Sequence, residues 1–464
     1  MTRKARSPIT RLRGWLLLGL VLVAGSIAGL FFFGRAGRDT NEPTQGPTAI
    51  PSGSEGENLA LIGKDFDYTF TEGEKPLFRI RGESIKADRQ ETIYLDKVGL
   101  TLYDKEGSAY EIESERASFN RLQNEGRLEG KVRLRGPDGL TLSSPLLLLQ
   151  DRGQTLVCPR PVDLGYGGKY LVTAKFLRVH LPQDLYVLAG DVVLRSVPGI
   201  VPAIGLNADR VVYERKERRL RIEGRVELAR GADRVRTQII NAFLTPDERG
   251  AVYLRAVLDV AGTHFGASGS AGARVDFSGK TLGLLTPPND AAAREIELEG
   301  TPLAPATLAS TGGGLVRRLT ARRIEGRMVD GSLKTARAIA GVDLVETPVA
   351  GRAAANAATR TAHSRGALAT FGPDGRIAEA VMNEEVRFTD GKTKAAGQRA
   401  LLQLDAGTGE FFGSPVEVEN DRGRVTAPHA VWEREANLLR FDGGVRALLT
   451  RADDADITGS ALGD

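Results

Sequence analysis

The side chains able to do chemistry are few and scattered along 464 residues. Histidine occurs only at His180, His264, His363 and His429, and none has a metal-ligand partner at usable spacing. Cys158 is the single cysteine, so no intramolecular disulfide can form, and it reads as a small residue near a strand end. "TGGGLV" (Thr311 to Val316) has the glycines of a phosphate loop but no lysine and no following helix, and reads as a linker. "YGGKY" (Tyr166 to Tyr170) reads as a hairpin turn. Glu384 and Glu385 could act as paired acids, yet adjacent carboxylates are most simply a solvated face. No G-x-S-x-G nucleophile turn occurs. The chain is therefore read as a non-enzyme, with no cofactor and no metal.

Charge does not supply a function either. The net charge is +4, but seven of the 63 Lys and Arg residues and only one acid lie within residues 1–40. The other 424 residues keep 56 basic and 58 acidic side chains, so no basic surface remains for nucleic acid.

From Trp15 to Phe33 the sequence "WLLLGLVLVAGSIAGLFFF" runs 19 residues without a charge. A helix of that length, at ~1.5 Å per residue, spans roughly the hydrocarbon core of a bilayer. Five basic residues precede it, which predicts a cytoplasmic N-terminus at residues 1–14 and the bulk of the chain across the membrane. The apolar run is longer than that of a cleaved signal peptide and no A-x-A site follows it, so an anchor is favoured. Residues 34–58, rich in Gly, Pro, Ser and Thr, read as a flexible linker.

Strand-like alternation begins at "LFRIRG" (Leu77 to Gly82) and continues to about Leu449. One pattern recurs at fixed spacing: a small residue, an aliphatic one three positions on, an aromatic or aliphatic one two further on, and a glycine eleven after that. Its copies are Ser114/Ala117/Phe119/Gly130, Ala174/Leu177/Val179/Gly190, Ala208/Val211/Tyr213/Gly224, Gly397/Ala400/Leu402/Gly413 and Ala427/Ala430/Trp432/Gly443. Ser143/Leu146/Leu148/Pro159 fits with proline in the glycine slot. A polar turn separates the aromatic position from the glycine, so each copy is a strand–turn–strand. The three-residue step breaks the period of two and predicts a β-bulge, and the repeated glycine predicts a bend or a close backbone approach.

Such units add up to a curved, trough-like all-β chain. Residues 59–200, 201–345 (with an irregular insertion at 286–314) and 367–450 are read as three successive β regions. A low-complexity connector at 346–366 separates the last two, and 451–464 is a polar tail. An apolar strand face is ordinarily core, so a closed scaffold for partner binding stays open beside a ligand-carrying trough. An outer-membrane barrel is disfavoured by the anchor and by a polar C-terminus without an apolar closing strand.

The stretches "KPLFRIRGESI", "LTLYDKEGSAYEIESERASF", "LEGKVRL" and "VTAKFLRVHLPQDLYVLAGDVVL" resemble the LptC family of lipopolysaccharide export. "ADRVVYERKERRLRIEGRVEL" and "APHAVWEREANLLRFDGGV" are similar to the related LptA/OstA repeat and its A-x-x-A-x-Y…G-N-V signature, with Lys131, Asp191, Arg225 and Gly444 in the Asn slot. Residues 265–345 match it least. The resemblance implies a transmembrane anchor followed by tandem OstA-like β-jellyrolls in the periplasm, an LptC-like unit fused to LptA-like repeats. It implies lipopolysaccharide as cargo, received from an inner-membrane ABC transporter and passed along an apolar groove. It further implies an LptA-like or outer-membrane jellyroll partner joined by edge-strand pairing. The candidate lipid-facing residues of the first unit are Phe78, Ile80, Leu100, Leu102, Ile112, Phe119, Leu128, Val132 and Leu134.

Overall fold

In the computed structural model the residues described are 59–449, apart from 73–74, 89–91, 104–108, 121, 124, 137–138, 152–154, 201–202, 247–250, 266–273, 288–292, 313, 350–358 and 437. The expected tail 1–14, membrane helix 15–33, linker 34–58 and C-terminal tail 451–464 lie outside the described residues. Among the described residues every regular element is a β-strand except a single 3-10 turn at Leu181–Gln183. No helix among them is long and apolar enough to cross a membrane.

The strands assemble into two units. The first comprises residues 1–231 and 239–251, and the second 232–238 and 252–464. In the first unit, hairpin follows hairpin from Leu59–Glu72 to Thr141–Gln150, all antiparallel. The strand Thr141–Gln150 then pairs at one end with Thr155–Cys158 and at the other with Val162–Tyr166. These are two halves of one strand broken at Pro159 and Pro161, where proline cannot donate to a ladder. Tyr170–Ala174 and Phe176–His180 are likewise two halves, and Leu185–Ser196 pairs with both. The second unit repeats the scheme: Arg274–Leu285 pairs with Ala293–Glu299 and Ala306–Gly312, and Ser332–Pro348 with Leu315–Ala321 and Arg323–Val329.

Each long strand bends at one place, and the bend is built from backbone. Gly130–Lys131, Gly190–Asp191 and Gly224–Arg225 all have positive φ, between 42° and 76°. Gly130–Lys131 and Gly190–Asp191 coincide with a register shift against the next strand, and Gly224–Arg225 with one against the preceding strand; the facing strand holds one residue fewer each time. Left-handed backbone costs an ordinary residue ~1–2 kcal/mol, and only glycine adopts it freely. Space demands glycine as well. A Cβ on Gly130, Gly190 or Gly224 would lie 2.8 Å from the Cβ of Glu115, Lys175 or Asp209 on the preceding strand. The residue after the glycine is also left-handed, which accounts for asparagine at that position in the resembling repeats, because Asn tolerates that region best after Gly.

The remaining glycines of the pattern behave differently. Gly443 has φ +95°, but Gly413 is outside the left-handed region, and its bend falls at Ser414–Pro415, where the register shifts between Phe412 and Val416. Three further bends carry no glycine at their first position: Leu258–Asp259, Ala340–Gly341 and Glu384–Glu385. Glu384 and Glu385 are both exposed, as a solvated face requires, and they also form the bend of their strand.

Bending gives every strand two halves and every unit two leaves, whose apolar faces meet. In the first unit Leu100, Ile112, Leu134 and Leu142 from one leaf pack in a single core with Leu128, Leu149, Leu156 and Val179 from the other. In the second, Phe388 of one leaf sits 5.4 Å from Phe411 and 5.2 Å from Trp432 of the other, ring to ring.

Strand pairing runs across the boundaries read between the three regions. Ser332–Pro348 and Arg360–Phe371 pair along their length, so the connector expected at 346–366 shrinks to the residues between Pro348 and Arg360. Within 346–366 Ala362 is a core residue, as are Ala367 and Ala369 just beyond it, in a unit where bulk comes from across the interior. The supposed insertion at 286–314 contributes the strands Ala293–Glu299 and Ala306–Gly312, and "TGGGLV" is a hairpin turn closed by Gly312 opposite Leu315. On either side of 200/201, Leu185–Ser196 pairs with Ile204–Glu214. "YGGKY" is the expected turn, with Gly167 and Gly168 left-handed and Tyr166 opposite Tyr170.

Gly224→Ala is expected to lower stability by about 1–3 kcal/mol through left-handed strain and the Asp209 clash. Lys131→Asn is expected to change it by less than about 0.5 kcal/mol. Urea unfolding of the two variants checks both.

Candidate functional site

The first unit carries an unbroken apolar row across its strands. Tyr68, Ile80, Leu100, Ile112, Leu134, Leu142, Leu164, Val172, Leu194, Leu206 and Leu228 lie opposite one another in successive ladders. At ~4.8 Å between strands, such a row runs roughly 48 Å along the sheet. On the other leaf Ile93, Phe119, Gly126, Leu149, Leu156, Val179, Tyr186, Tyr213 and Leu220 form a second row.

The sequence-derived candidates fall on these rows or beside them. Ile80, Leu100, Ile112 and Leu134 are consecutive members of the first. Val132 lies next to it toward the bend, opposite Ser144, and Leu128 faces Ala117 on the other leaf with Phe119. Phe78 pairs with Leu102 one step nearer the strand ends, and their side chains lie outside the described set. The interior is tightly filled: Val132, Ile112 and Leu134 expose 0%, 1% and 2% of their surface. At the edge strand Leu59–Glu72 the row comes into the open, where Tyr68 is half exposed and Ile80 only partly covered. A cavity of about 410 Å³ is lined by Leu134, Leu142, Leu164 and Val172 with Thr141, Gly165 and Leu171 among their flanks.

Charge is confined to the bends and the outer faces of this unit. Lys131 reaches Glu115 at 2.9 Å, Asp191 reaches Lys175 at 2.6 Å, and Arg225 donates to Asp209 at 3.0 Å. In each case the left-handed residue meets the residue 16 positions earlier, on the strand before, with the opposite sign. Lys131 thereby holds the Glu115 carboxyl below its usual range, and Lys175 does the same for Asp191. All these groups are exposed, so they fix register more than they add stability. A cleft of about 770 Å³ at the first bends, lined by Asp65, Arg81, Glu83, Lys97, Glu115 and Lys131 among others, has both signs of charge.

No other chemistry gathers. Cys158 is fully buried, and burial pushes its thiol up to about 11, away from nucleophilic use. Among the described residues no cluster could hold a metal ion. Three histidines meet carboxylates instead: His264 with Asp233 at 3.2 Å, His363 with Asp343 at 2.8 Å and His429 with Asp442 at 3.1 Å. Burial alone would lower the His264 pKa, but Asp233 and a 2.8 Å contact with the Gly331 carbonyl outweigh it and raise it.

In the second unit a charged row took the place of apolar residues without being foreseen. Ser310, Arg317, Glu346, Arg360 and Asp390 are mutual neighbours on successive strands. The side chains of Arg317, Glu346 and Arg360 are only 4%, 5% and 9% exposed. Parity was the available signal: Arg317 alternates in phase with buried Leu319 and Ala321, and Glu346 with Val342 and Leu344.

Among the described residues the tandem bent-strand units form an all-β architecture consistent with a β-jellyroll. Residues 39–195 match the family model of lipopolysaccharide-assembly, LptC-related proteins. That match spans about a third of the chain, and the all-strand repeat beyond it fits LptA-like repeats. Comparison with curated proteins returned no match.

Leu134→Ala is expected to cost about 2–5 kcal/mol, since its site cannot collapse onto a second layer. His264→Gln probes pH. A His whose folded pKa is raised stabilises the fold fully below its unfolded value of about 6.5, and that stability is lost as pH climbs through the folded pKa. The unmutated chain should therefore lose more stability between about pH 6 and pH 8 than His264→Gln does, in thermal melts at the two values.

Proposed function

We propose that this protein is a membrane-anchored periplasmic component of lipopolysaccharide export, and that the apolar row of the first unit carries the acyl chains. Membership of residues 39–195 in the LptC-related family supports a role in lipopolysaccharide assembly. The unbroken apolar row from Tyr68 to Leu228 supports the finer reading, because it is buried at Leu100, Ile112, Leu134, Leu142 and Leu206, partly open at Leu164, Val172, Leu194 and Leu228, and exposed at Tyr68. Exposing acyl chains to water costs ~0.8 kcal/mol per methylene, so a carrier needs a continuous apolar lining and no catalytic residue. The leaves part to admit the chains, while the sugar head stays in water.

In this reading residues 15–33 anchor the chain in the inner membrane with the N-terminus in the cytoplasm. An inner-membrane ABC transporter supplies both cargo and energy. Among the described residues Leu59–Glu72 pairs on one side only, and its other edge and the short terminal strands Leu438–Asp442 and Arg446–Leu449 offer main-chain hydrogen bonds to jellyroll partners. A second reading, a closed periplasmic scaffold without lipid, draws on the near-complete burial of Ile112, Val132 and Leu134.

A photo-crosslinking residue at Ile80, Ile112 or Val132 separates the two in cells. Lipopolysaccharide adducts at these positions, and none at outward Arg133, are expected of the carrier. Adducts at no inward position would leave the scaffold.

A further inference from the structure

The two units close differently on the side away from their bends, where the strand ends of one leaf approach those of the other. In the first unit the strand ends beyond the row place Leu102 opposite Tyr110 in register, and Tyr110 is buried. In the second unit the same rim carries the buried row Ser310–Arg317–Glu346–Arg360–Asp390.

Arg317 belongs to one leaf and bonds mostly to the other. Its Nε donates to Glu346 at 2.9 Å on its own leaf. Its Nη1 donates to the Ile377 carbonyl at 2.6 Å and to Asp405 at 2.6 Å, and its Nη2 to the Leu404 carbonyl at 3.0 Å. Ile377 and Leu404–Asp405 sit at the strand ends of the opposite leaf, whose inner row is Ala367, Met382 and Ala400. Three further ties cross at the same rim. The Ile377 amide donates to Ser310 Oγ at 3.4 Å, Arg360 lies 5.5 Å over the Trp432 ring, and His264 Nε2 meets the Gly331 carbonyl. Behind them the space among Leu344, Ala362, Phe388, Leu402 and Trp432 is only about 20 Å³, room for no more than a water.

A buried ion row of this kind adds little stability over an apolar one, because desolvation offsets attraction. It does impose one arrangement of the two leaves, since Arg317 has all its partners only when they are closed. We propose that the Arg317 row is a latch that holds the second unit shut, so that acyl chains enter the first unit and reach the second only when Arg317 releases the opposite leaf. The confinement of the chains rests on the lipid-carrier reading above; the latch does not.

Hydrogen–deuterium exchange on the full chain reads the latch without lipid. In Arg317→Met the amides of residues 374–380 and 402–405 should exchange roughly tenfold faster, while the first unit keeps its rates. If that variant loses the fold of the second unit altogether, Asp405→Asn decides, because it removes one half-exposed partner and should quicken the same amides roughly threefold. Unchanged rates in a folded Arg317→Met, or in Asp405→Asn where the first fails to fold, overturn the latch. In cells, a photo-crosslinker at Phe388 should give roughly tenfold less lipopolysaccharide adduct than one at Val132, and Arg317→Met should bring the two within about threefold. Equal adducts in the unmutated chain overturn the confinement. No adduct at either position overturns the carrier reading instead, and exchange alone then judges the latch.

Discussion

The whole architecture depends on bending a strand at two left-handed residues. A straight strand with one apolar face must find a second sheet to cover it. A strand bent in its middle covers itself, because its two halves turn the same face toward one another. Gly130–Lys131, Gly190–Asp191 and Gly224–Arg225 do this within the first unit, and Leu258–Asp259, Ala340–Gly341 and Glu384–Glu385 within the second. Once every strand bends at the same height, stacking hairpins lengthens the interior without widening it. A long dry row follows from that geometry alone.

The rims, not the bends, distinguish the units. In the first unit, separation of the leaves is cheapest where the row already meets water, near Tyr68 and Ile80. A rim tied by Arg317 must strip a buried guanidinium of two carbonyls and a carboxylate before it parts. The two units therefore differ in what holds their leaves together, apolar packing in the first and a buried ion row in the second.

Much of this was legible in the residues. Alternation announced the strands, and the three-residue step fell where the register shifts. The glycine eleven places after Tyr213 marked a bend because φ and the Asp209 Cβ both exclude a side chain at Gly224. Bends without glycine escaped notice, since Leu258 and Glu384 bear the strain with no signature of their own. The alanine-rich stretch after Glu346 read as a connector because small residues look like a linker until the aromatic rings opposite are known. The Arg317 row was missed for a related reason: a charge in the inward phase of a strand looks like a slip in alternation until its partners, 29 and 88 residues away in sequence, come into view. Family resemblance supplied the cargo and partners, which no residue pattern could.

The central claim is that the two leaves of the first unit part to hold acyl chains. Spin labels at exposed Glu111 and Arg127, one on each leaf, measure their separation in the purified full chain. On addition of lipopolysaccharide the distance distribution should shift outward. Lipid that binds while the distribution stays unchanged would contradict the claim, and the interior would then be a core and nothing more.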